Sequence, residues 1–355
     1  MYKDANESVI PDDVELLELM VGDAGNAAEQ YQPGPYWKRN SVHAAKELAR
    51  YGLAGFRGAD SFIANSFGDN TLVNLRTSYR SGKKNSLKLM ITKLPGFKQV
   101  FEGQAKLTEA FFRTELIFKN EYLRSSKRVQ ELIVNYSIVK MDTTRGDCVG
   151  YVDFNGSIVS HHYLNLLNTL DVMMRDIGRK SLTGMTILEI GGGFGANTHL
   201  MVNLFGARKI LYLDISPNLY VGTQYLKSFY GESVIDYRES KNGPIRFRSD
   251  DSLEIFCILP HQIENIEAEV NLFYNAHSFV EMPKSVVRNY ASKVSSLLSI
   301  DLGIVYLVSY DGFDPSTSLD PNFLTTIFER FCLTTTVETL TPGRQNFHFY
   351  FAHLS

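Results

Sequence analysis

A glycine-rich turn in the middle of the chain limits the folds that this sequence can adopt. Residues 187–197 read Ile-Leu-Glu-Ile-Gly-Gly-Gly-Phe-Gly-Ala-Asn. The apolar run Ile187–Ile190 predicts a strand before the turn, and Ala196–Leu204 predicts a helix after it. Glycine lets the backbone approach a ligand closely, and the strand ends of an α/β sheet face an open crevice. The turn therefore predicts a site for a nucleotide-like ligand.

Strand-like and helix-like segments alternate along the chain after this turn. Short apolar runs predict further strands over Lys209–Leu213, Ile255–Leu259, Val270–Tyr274 and Ile304–Val308. Helical patterns cover Pro217–Tyr230 with Ser216 as its cap, Pro283–Leu298, and about Phe323–Phe331. Buried strands separated by helices are typical of a doubly wound, mostly parallel α/β sheet.

The end of the chain has a different pattern. Two extended stretches, Leu333–Leu340 and Asn346–Leu354, flank the turn residues Thr341–Arg344 and predict a closing antiparallel pair. We therefore expect a seven-stranded, mostly parallel sheet whose last strand is antiparallel.

The sequence before about residue 155 differs in character from the rest. One helix is predicted over Ser41–Tyr51, and another begins after Ser160, carries an apolar stripe and stops at Gly178. We predict a mainly helical accessory or substrate-side domain over residues 1–155 and the ligand-binding domain over residues 156–355.

The composition is that of an ordinary globular protein. The 355 residues are 44% hydrophobic and 21% charged, and the formal net charge of -3 gives no electrostatic reason to expect nucleic-acid binding. Cys148, Cys257 and Cys332 show no metal-binding spacing and are too few for a disulfide framework. The first apolar run, Val14–Val21, is interrupted by acids, and no uncharged stretch approaches the roughly 20 residues of a membrane span. We expect a cytoplasmic protein without a membrane span.

Acidic residues beside the turn indicate the kind of cofactor. Asp214 follows the next predicted strand, where a carboxylate can accept hydrogen bonds from both hydroxyls of a ribose. Glu189 with Gly191, Gly193 and Gly195 forms the pattern E-x-G-x-G-x-G, the spacing typical of class I methyltransferases that use S-adenosylmethionine. The Glu189 carboxylate can orient the loop or meet the ammonium group of that cofactor through water.

Two other functions remain open on the sequence alone. Gly191, Gly193 and Ala196 also satisfy the dinucleotide pattern G-x-G-x-x-G/A, so an NAD-dependent oxidoreductase acting on a sugar nucleotide is the alternative enzyme. A non-catalytic, cofactor-binding interaction protein is the other alternative.

The sequence resembles the bacterial sugar O-methyltransferase family, a group of class I S-adenosylmethionine-dependent enzymes associated with surface polysaccharides. The resemblance covers roughly residues 150–355 and is carried by the glycine turn, by Asn275–Met282 and by Ser160–Tyr163, with fainter matches at Tyr36–Trp37 and Gly55–Arg57. It implies a methyltransferase domain and a saccharide hydroxyl as the acceptor.

Histidines near the predicted strand ends are candidates for the base that removes a hydroxyl proton. His277 lies just beyond the fourth strand of the predicted sheet, and a positioned histidine contributes roughly 10²- to 10⁴-fold to such reactions. Glu281 is expected to orient His277 or to serve as the base itself. His261, after the third strand, is a second candidate if its loop turns inward.

Other polar residues are candidates for binding or for purely structural roles. Asn275, at the end of a strand, is expected to contact the methionine part of the cofactor or to stabilise the turn. Gln262 is expected to bind the adenine amine through its amide oxygen, since no acid follows the third strand where many methyltransferases have one. His161, His162 and Tyr163 cap the site or simply form a polar helix start.

No metal site is predicted, because no pair or triplet of His, Asp and Glu has a convincing ligand spacing, and His277 with Glu281 offers at most two ligands. Some sugar methyltransferases use magnesium, so this ion stays open.

A basic run without acids could meet an anionic saccharide or form a solvated loop. It comprises Arg76, Arg80, Lys83, Lys84, Lys88, Lys93 and Lys98.

Overall fold

The structure is a computed structural model that describes residues 10–58, 63, 116, 117, 119–178, 180–310, 319–338 and 346–353. These residues divide into two compact units. One is drawn from Tyr51–Leu164, and the other from Ile10–Arg50 together with Asn165–Ser355. Residues 10–50 therefore pack in the same unit as the glycine turn. The two-domain division at residue 155 stays a prediction.

The unit drawn from Tyr51–Leu164 contains a helix over Lys127–Tyr136 and a hairpin of two strands, β1 (Tyr151–Phe154) and β2 (Ser157–Ser160). A buried arginine organises its interior. The Arg57 guanidinium donates to the carbonyls of Thr143 and Arg145 and to Ser160 Oγ, so its charge is held by polar groups inside the unit. The predicted basic run at residues 76–98 lies outside the described residues.

The other unit is built around an eight-stranded sheet. Its strands are β3 (Thr186–Ile190), β4 (Lys209–Leu213), β5 (Val234–Ile235), β6 (Glu254–Ile258), β7 (Leu272–Ala276), β8 (Ile304–Tyr310), β9 (Phe331–Glu338) and β10 (Asn346–His353). They lie in the order β5-β6-β4-β3-β7-β8-β10-β9. β10 is antiparallel to both neighbours, and the pairs from β5 to β8 are parallel.

This topology confirms the prediction of a mostly parallel sheet with an antiparallel last strand, and the two-residue β5 adds a strand that was not predicted. The chain leaves β3 for β4 and β6 on one side and later returns to β7 and β8 on the other. The connections therefore reverse direction between β3 and β7. A crevice forms at such a reversal, outside the carboxyl ends of the strands.

The helices of the described residues are numbered in chain order. They are α1 (Val14–Asn26), α2 (Pro35–Tyr51), α3 (Lys127–Tyr136), which belongs to the other unit, α4 (His161–Asp176), α5 (Ala196–Phe205), α6 (Asn218–Tyr230), α7 (Tyr237–Ser240), α8 (Lys284–Leu297) and α9 (Pro321–Ile327). Central strand residues such as Leu188, Leu211 and Phe273 are fully buried. Burial on both faces explains why the strands are continuous apolar runs.

Two predicted helix boundaries are wrong. Ser216 does not cap α6, because Pro217 occupies the cap position and Ser216 Oγ has no hydrogen-bond partner. The predicted helix at Phe323–Phe331 is α9, which is capped by Asp320 and ends at Ile327. Phe331 begins β9 instead and packs into the core under the sheet.

The N-terminal segment 10–50 is fixed to the sheet unit by polar contacts at several points. Asp13 caps α1, donates its backbone N–H to Tyr220 Oη at 2.8 Å and pairs with Arg238. Tyr31 donates its hydroxyl to Glu264. α1 and α2 therefore have defined positions near the carboxyl ends of β4 and β6.

In the part of the chain that the structure describes, no helix has the length and apolar character needed to cross a membrane.

Candidate functional site

The glycine turn lies between β3 and α5 and depends on backbone conformations that favour glycine. Gly191, Gly193 and Gly195 have φ angles of 75°, 63° and 87°. A Cβ on Gly191 would lie 2.2 Å from Ser278 Oγ, and one on Gly195 would lie 2.9 Å from the Leu226 side chain. The turn therefore needs glycine for its own packing, in addition to any need of a ligand.

Asp214 joins the end of β4 to this turn. Its Oδ2 accepts the Gly193 N–H at 2.7 Å, and its Oδ1 accepts the Ile215 N–H at 2.7 Å. The residue is 5% exposed. Burial raises the pKa of the Asp214 carboxyl to about 7, because loss of solvent outweighs the two backbone hydrogen bonds. The structure thus brings the predicted ribose acid into contact with the glycine turn.

Glu189 is a second buried acid beside the same turn. Its Oε2 accepts a hydrogen bond from Thr198 Oγ1 at 2.6 Å, whereas its Oε1 has no partner. Burial raises the pKa of Glu189 to about 7, and the nearby Asn197 has a buried Oδ1 that also lacks a partner. No Lys or Arg is among the main causes of the raised pKa of Glu189 or Asp214. A cationic ligand would find two carboxyl groups here without a counter-charge.

Asn275 and Gln262 have structural partners. Asn275 donates to the Ile190 carbonyl at 2.8 Å and accepts the Phe279 N–H at 3.1 Å, so its side chain ties β7 to β3. Of the two roles expected for Asn275, the structure supports the turn residue.

Gln262 is also bound to backbone groups. Its Oε1 accepts the Leu259 N–H at 2.8 Å, its Nε2 donates to the Ser240 carbonyl at 3.0 Å, and the residue is 0% exposed. The amide therefore shapes the loop after β6, and its contact with an adenine stays a prediction.

His277 lies at the carboxyl end of β7 in a left-handed backbone conformation, with φ of 70°. This conformation costs energy in a non-glycine residue, and such outliers cluster at functional sites. The His277 N–H donates to the Val308 carbonyl at 2.8 Å, and its Nε2 lies 3.2 Å from Asn346 Oδ1. The imidazole also packs edge-on against the Tyr310 ring, with 5.4 Å between ring centroids. The ring is therefore held at the crevice by β8 and β10.

Glu281 is nearby, but its described hydrogen bonds go elsewhere. Its Oε2 accepts from Trp37 Nε1 at 2.7 Å, and its Oε1 accepts from Tyr310 Oη at 3.1 Å. Burial raises the pKa of Glu281, although both hydrogen bonds oppose that shift. The described partner that orients the His277 ring is Asn346, which sequence reasoning did not identify. Glu281 instead joins α2 to the end of β8.

The remaining histidine candidates are on other elements of the chain than His277. His261 follows β6, and three strand spacings separate β6 from β7, which is about 14 Å. His261 and His277 therefore lie at well-separated strand ends, and the role of His261 as the alternative base stays a prediction. His161 and Tyr163 belong to the other compact unit, where the His161 ring contacts Asn120 and Tyr163 packs against Arg57. His162 is the second residue of α4, and its N–H donates to Ser160 Oγ.

A cavity of about 340 Å³ opens beside Asp214, between helices α1 and α2 and the segments that follow β4 and β6. The sequence did not predict it, because the helices that enclose it lie far from the glycine turn along the chain. Its wall is mainly apolar and includes Ala24, Ala45, Ile215 and Pro260.

No group of three metal-ligating side chains occurs among the described residues.

No protein-family model matches the chain, and no curated protein matches it. Solved structures do match. Magnesium protoporphyrin IX methyltransferase from Synechocystis PCC 6803 with bound SAH is 10% identical, with a TM-score of 0.39 over 66% of this chain and 98% of that chain. The N-methyltransferase NodS from Bradyrhizobium japonicum WM9 is 14% identical, with a TM-score of 0.36 over 52% of this chain and 97% of that chain. These similarities are too distant to show what the chain binds. The architecture described above follows from the order and direction of the chain's own strands.

Proposed function

We propose that the chain is an S-adenosylmethionine-dependent methyltransferase that methylates a sugar hydroxyl. The observation that carries the proposal is the pair of buried acids, Glu189 and Asp214, beside the glycine turn, with no Lys or Arg among the main causes of their raised pKa. S-adenosylmethionine carries a ribose and two cationic groups, the ammonium and the sulfonium. Its chemistry matches a site that combines a ribose acceptor with unneutralised carboxyl groups.

The sheet supports the same choice over a dinucleotide enzyme. After β8 the chain forms the antiparallel pair β9 and β10, where a dinucleotide-binding fold would build a second parallel half. The dinucleotide pattern at Gly191, Gly193 and Ala196 remains the one feature that favours an NAD-dependent oxidoreductase acting on a sugar nucleotide. A protein that binds the cofactor without turnover is the remaining alternative.

In this proposal, residues of the chain bind the cofactor, align the acceptor hydroxyl with the methyl group and remove the proton of that hydroxyl. The cofactor supplies an electrophilic methyl group on sulfur. Asp214 holds the ribose hydroxyls, and Glu189 attracts the ammonium end. His277 takes the proton of the acceptor hydroxyl on its imidazole, while Asn346 and Tyr310 hold that ring in place. Methyl transfer is an in-line displacement, so the fixed geometry of the ring also contributes alignment.

The choice of a sugar acceptor rests on the sequence resemblance around Asn275–Met282, since no family model matches the chain. The test is transfer of an isotope-labelled methyl group from S-adenosylmethionine to a panel of free, nucleotide-linked and polymeric saccharides. Labelled methyl ether in one of these classes is expected. Transfer only to nitrogen nucleophiles or proteins would contradict the sugar assignment, and no transfer to any acceptor would favour the binding protein.

A further inference from the structure

Two glycines in or near the glycine turn are not explained by backbone conformation. Gly192 lies within the turn but is not one of the glycines with a positive φ, and Gly222 lies inside helix α6. Neither belongs to the pattern E-x-G-x-G-x-G. Glycine in the interior of a helix is destabilising relative to alanine, so Gly222 needs another physical reason.

The side chain of Tyr212 in β4 supplies that reason for both positions. A Cβ on Gly192 would lie 2.4 Å from Tyr212 Cε2, and one on Gly222 would lie 1.9 Å from the Tyr212 hydroxyl oxygen. The Cβ on Gly192 would also lie 2.9 Å from Glu189 Cδ. Non-bonded carbon atoms pack at about 3.5–4.0 Å, so an alanine at either position would displace the ring or the backbone around it. The two glycines therefore form a slot that the Tyr212 ring fills.

The slot holds the Tyr212 hydroxyl against the glycine turn. This hydroxyl donates to the Gly193 carbonyl at 2.5 Å, and Tyr212 is 0% exposed. Burial raises the pKa of Tyr212, and the neighbouring Asp214 and Glu189 carboxyls act in the same direction. The hydroxyl therefore keeps its proton and remains a donor to the turn.

Two consecutive peptide groups of the turn thus have separate supports. The peptide N-terminal to Gly193 is held by Asp214 through its N–H, and the peptide C-terminal to Gly193 is held by Tyr212 through its carbonyl. In the proposed function the Asp214 carboxylate also accepts the ribose hydroxyls, so it is shared between the turn and the cofactor. The hydrogen bond from Tyr212 is not shared in this way. A loop that is ordered before binding loses less conformational entropy on binding, which strengthens affinity.

We infer that Tyr212 is a positioning residue for cofactor binding, and that Gly192 and Gly222 make room for its ring. This inference rests on the proposed function. In it Asp214 touches the ribose, whereas Tyr212 acts on the cofactor only through the peptide of Gly193.

Tyr212→Phe tests the inference, because it removes the hydroxyl and keeps the ring in its slot. The variant leaves a carbonyl of the turn without its donor, so S-adenosylhomocysteine should bind about 3- to 10-fold more weakly in calorimetry on the full chain. In the ligand-free protein, backbone hydrogen exchange should become faster over residues 191–196 and stay unchanged over β8. A merely structural hydroxyl would lower the thermal unfolding midpoint and leave the affinity as in the wild type.

Gly222→Ala tests the slot from the side of α6. The added methyl group displaces the hydroxyl and should weaken S-adenosylhomocysteine by at least as much as Tyr212→Phe does. In a Tyr212→Leu background the same change should cost little further affinity, because the three heavy atoms nearest to that methyl all belong to Tyr212. The matched control is Gly22→Ala inside α1, where a Cβ would meet nothing within 4 Å. It should change neither the affinity nor the exchange of the turn.

The outcomes separate this inference from the proposed function. If the wild type binds S-adenosylhomocysteine while Tyr212→Phe and Gly222→Ala bind it as tightly, the positioning role is overturned and the proposed function stands. If Gly222→Ala does not fold, Tyr212→Phe still decides, because it adds no atom to the slot. If the wild type does not bind S-adenosylhomocysteine, the proposed function fails, and unchanged exchange of the turn in Tyr212→Phe would then overturn the support by Tyr212 as well.

Discussion

The Asp214 carboxylate accepts the backbone N–H of Gly193 at 2.7 Å, which ties the end of β4 to the glycine turn after β3. The Tyr212 hydroxyl reinforces this link by donating to the Gly193 carbonyl at 2.5 Å. Tyr212 in β4 and Asp214 directly after it thus bind both backbone polar groups of Gly193. A ligand that contacts Asp214 would therefore be connected to the glycine turn through the hydrogen bond from the Gly193 N–H to Asp214.

The raised pKa of Glu189 predicts a stability cost that a neutral variant removes. The pKa is about 7 in the folded chain and about 4.3 in an unfolded one, so the folded state binds more protons between these values. Wild-type stability therefore falls as pH rises through this window. Glu189→Gln should raise the free energy of unfolding by about 3–4 kcal/mol at pH 8 and by less than about 1 kcal/mol at pH 4.5.

Denaturant titrations of the ligand-free protein at the two pH values measure this difference. An equal effect at both pH values would show that the change comes from packing and not from ionisation of Glu189.

The same acids predict how cofactor affinity depends on pH. Between pH 5 and 7 the α-ammonium of S-adenosylmethionine stays protonated, whereas Glu189 and Asp214 become ionised as the pH rises toward their pKa of about 7. Affinity should therefore rise with pH over this range, by up to about tenfold per unit for each carboxyl that binding requires to be ionised. Calorimetric titration at several pH values measures the slope. A Glu189→Gln variant should show a shallower slope, and an unchanged slope would remove Glu189 from the site.

The hydrogen bond between Trp37 and Glu281 predicts a further effect on stability. Trp37→Phe keeps an aromatic ring but removes the Nε1–H that Glu281 accepts at 2.7 Å. The loss should cost about 1–2 kcal/mol where Glu281 is ionised, and less as the pH falls and this buried carboxyl with its raised pKa becomes protonated. Unfolding titrations of Trp37→Phe in the wild-type and Glu281→Gln backgrounds separate the loss of the hydrogen bond to the carboxylate from the change in ring packing. A pH-independent loss in the wild-type background would contradict this role for the bond.

Much of the sheet could be predicted from the sequence, because buried parallel strands have a strong apolar signal. β4 has the predicted bounds, Lys209–Leu213, and the last two strands pair antiparallel as expected. The glycine turn and Asp214 were also predicted to come together, and the structure joins them.

The residues whose roles the sequence leaves ambiguous share a physical cause. A short polar side chain at a strand end looks the same in sequence whether it binds a ligand or the backbone, and Gln262 and Asn275 bind the backbone. The bond from Trp37 to Glu281 and the position of Ser41 on the cavity wall join distant parts of the chain, which periodicity does not reveal.

The geometry around His277 predicts separate effects on catalysis and on cofactor binding. His277→Ala should slow the methyl-transfer step by roughly 10²- to 10⁴-fold and leave cofactor affinity nearly unchanged, since the imidazole acts on the acceptor proton. The variant should recover rate at high pH as the hydroxyl ionises unaided. Asn346→Ala should cost less and shift the pH dependence of the rate, because Asn346 positions the ring without touching the acceptor.

Single-turnover methylation across pH measures both variants. A His277→Ala rate within about threefold of the wild type would show that alignment alone suffices.

The most direct test of the central claim is parallel calorimetry of the full chain with S-adenosylhomocysteine and with NAD. The account predicts that S-adenosylhomocysteine binds, that NAD does not, and that Asp214→Ala weakens S-adenosylhomocysteine by about 100-fold through loss of charged hydrogen bonds to the ribose. Binding of NAD without S-adenosylhomocysteine would contradict the account and favour the oxidoreductase.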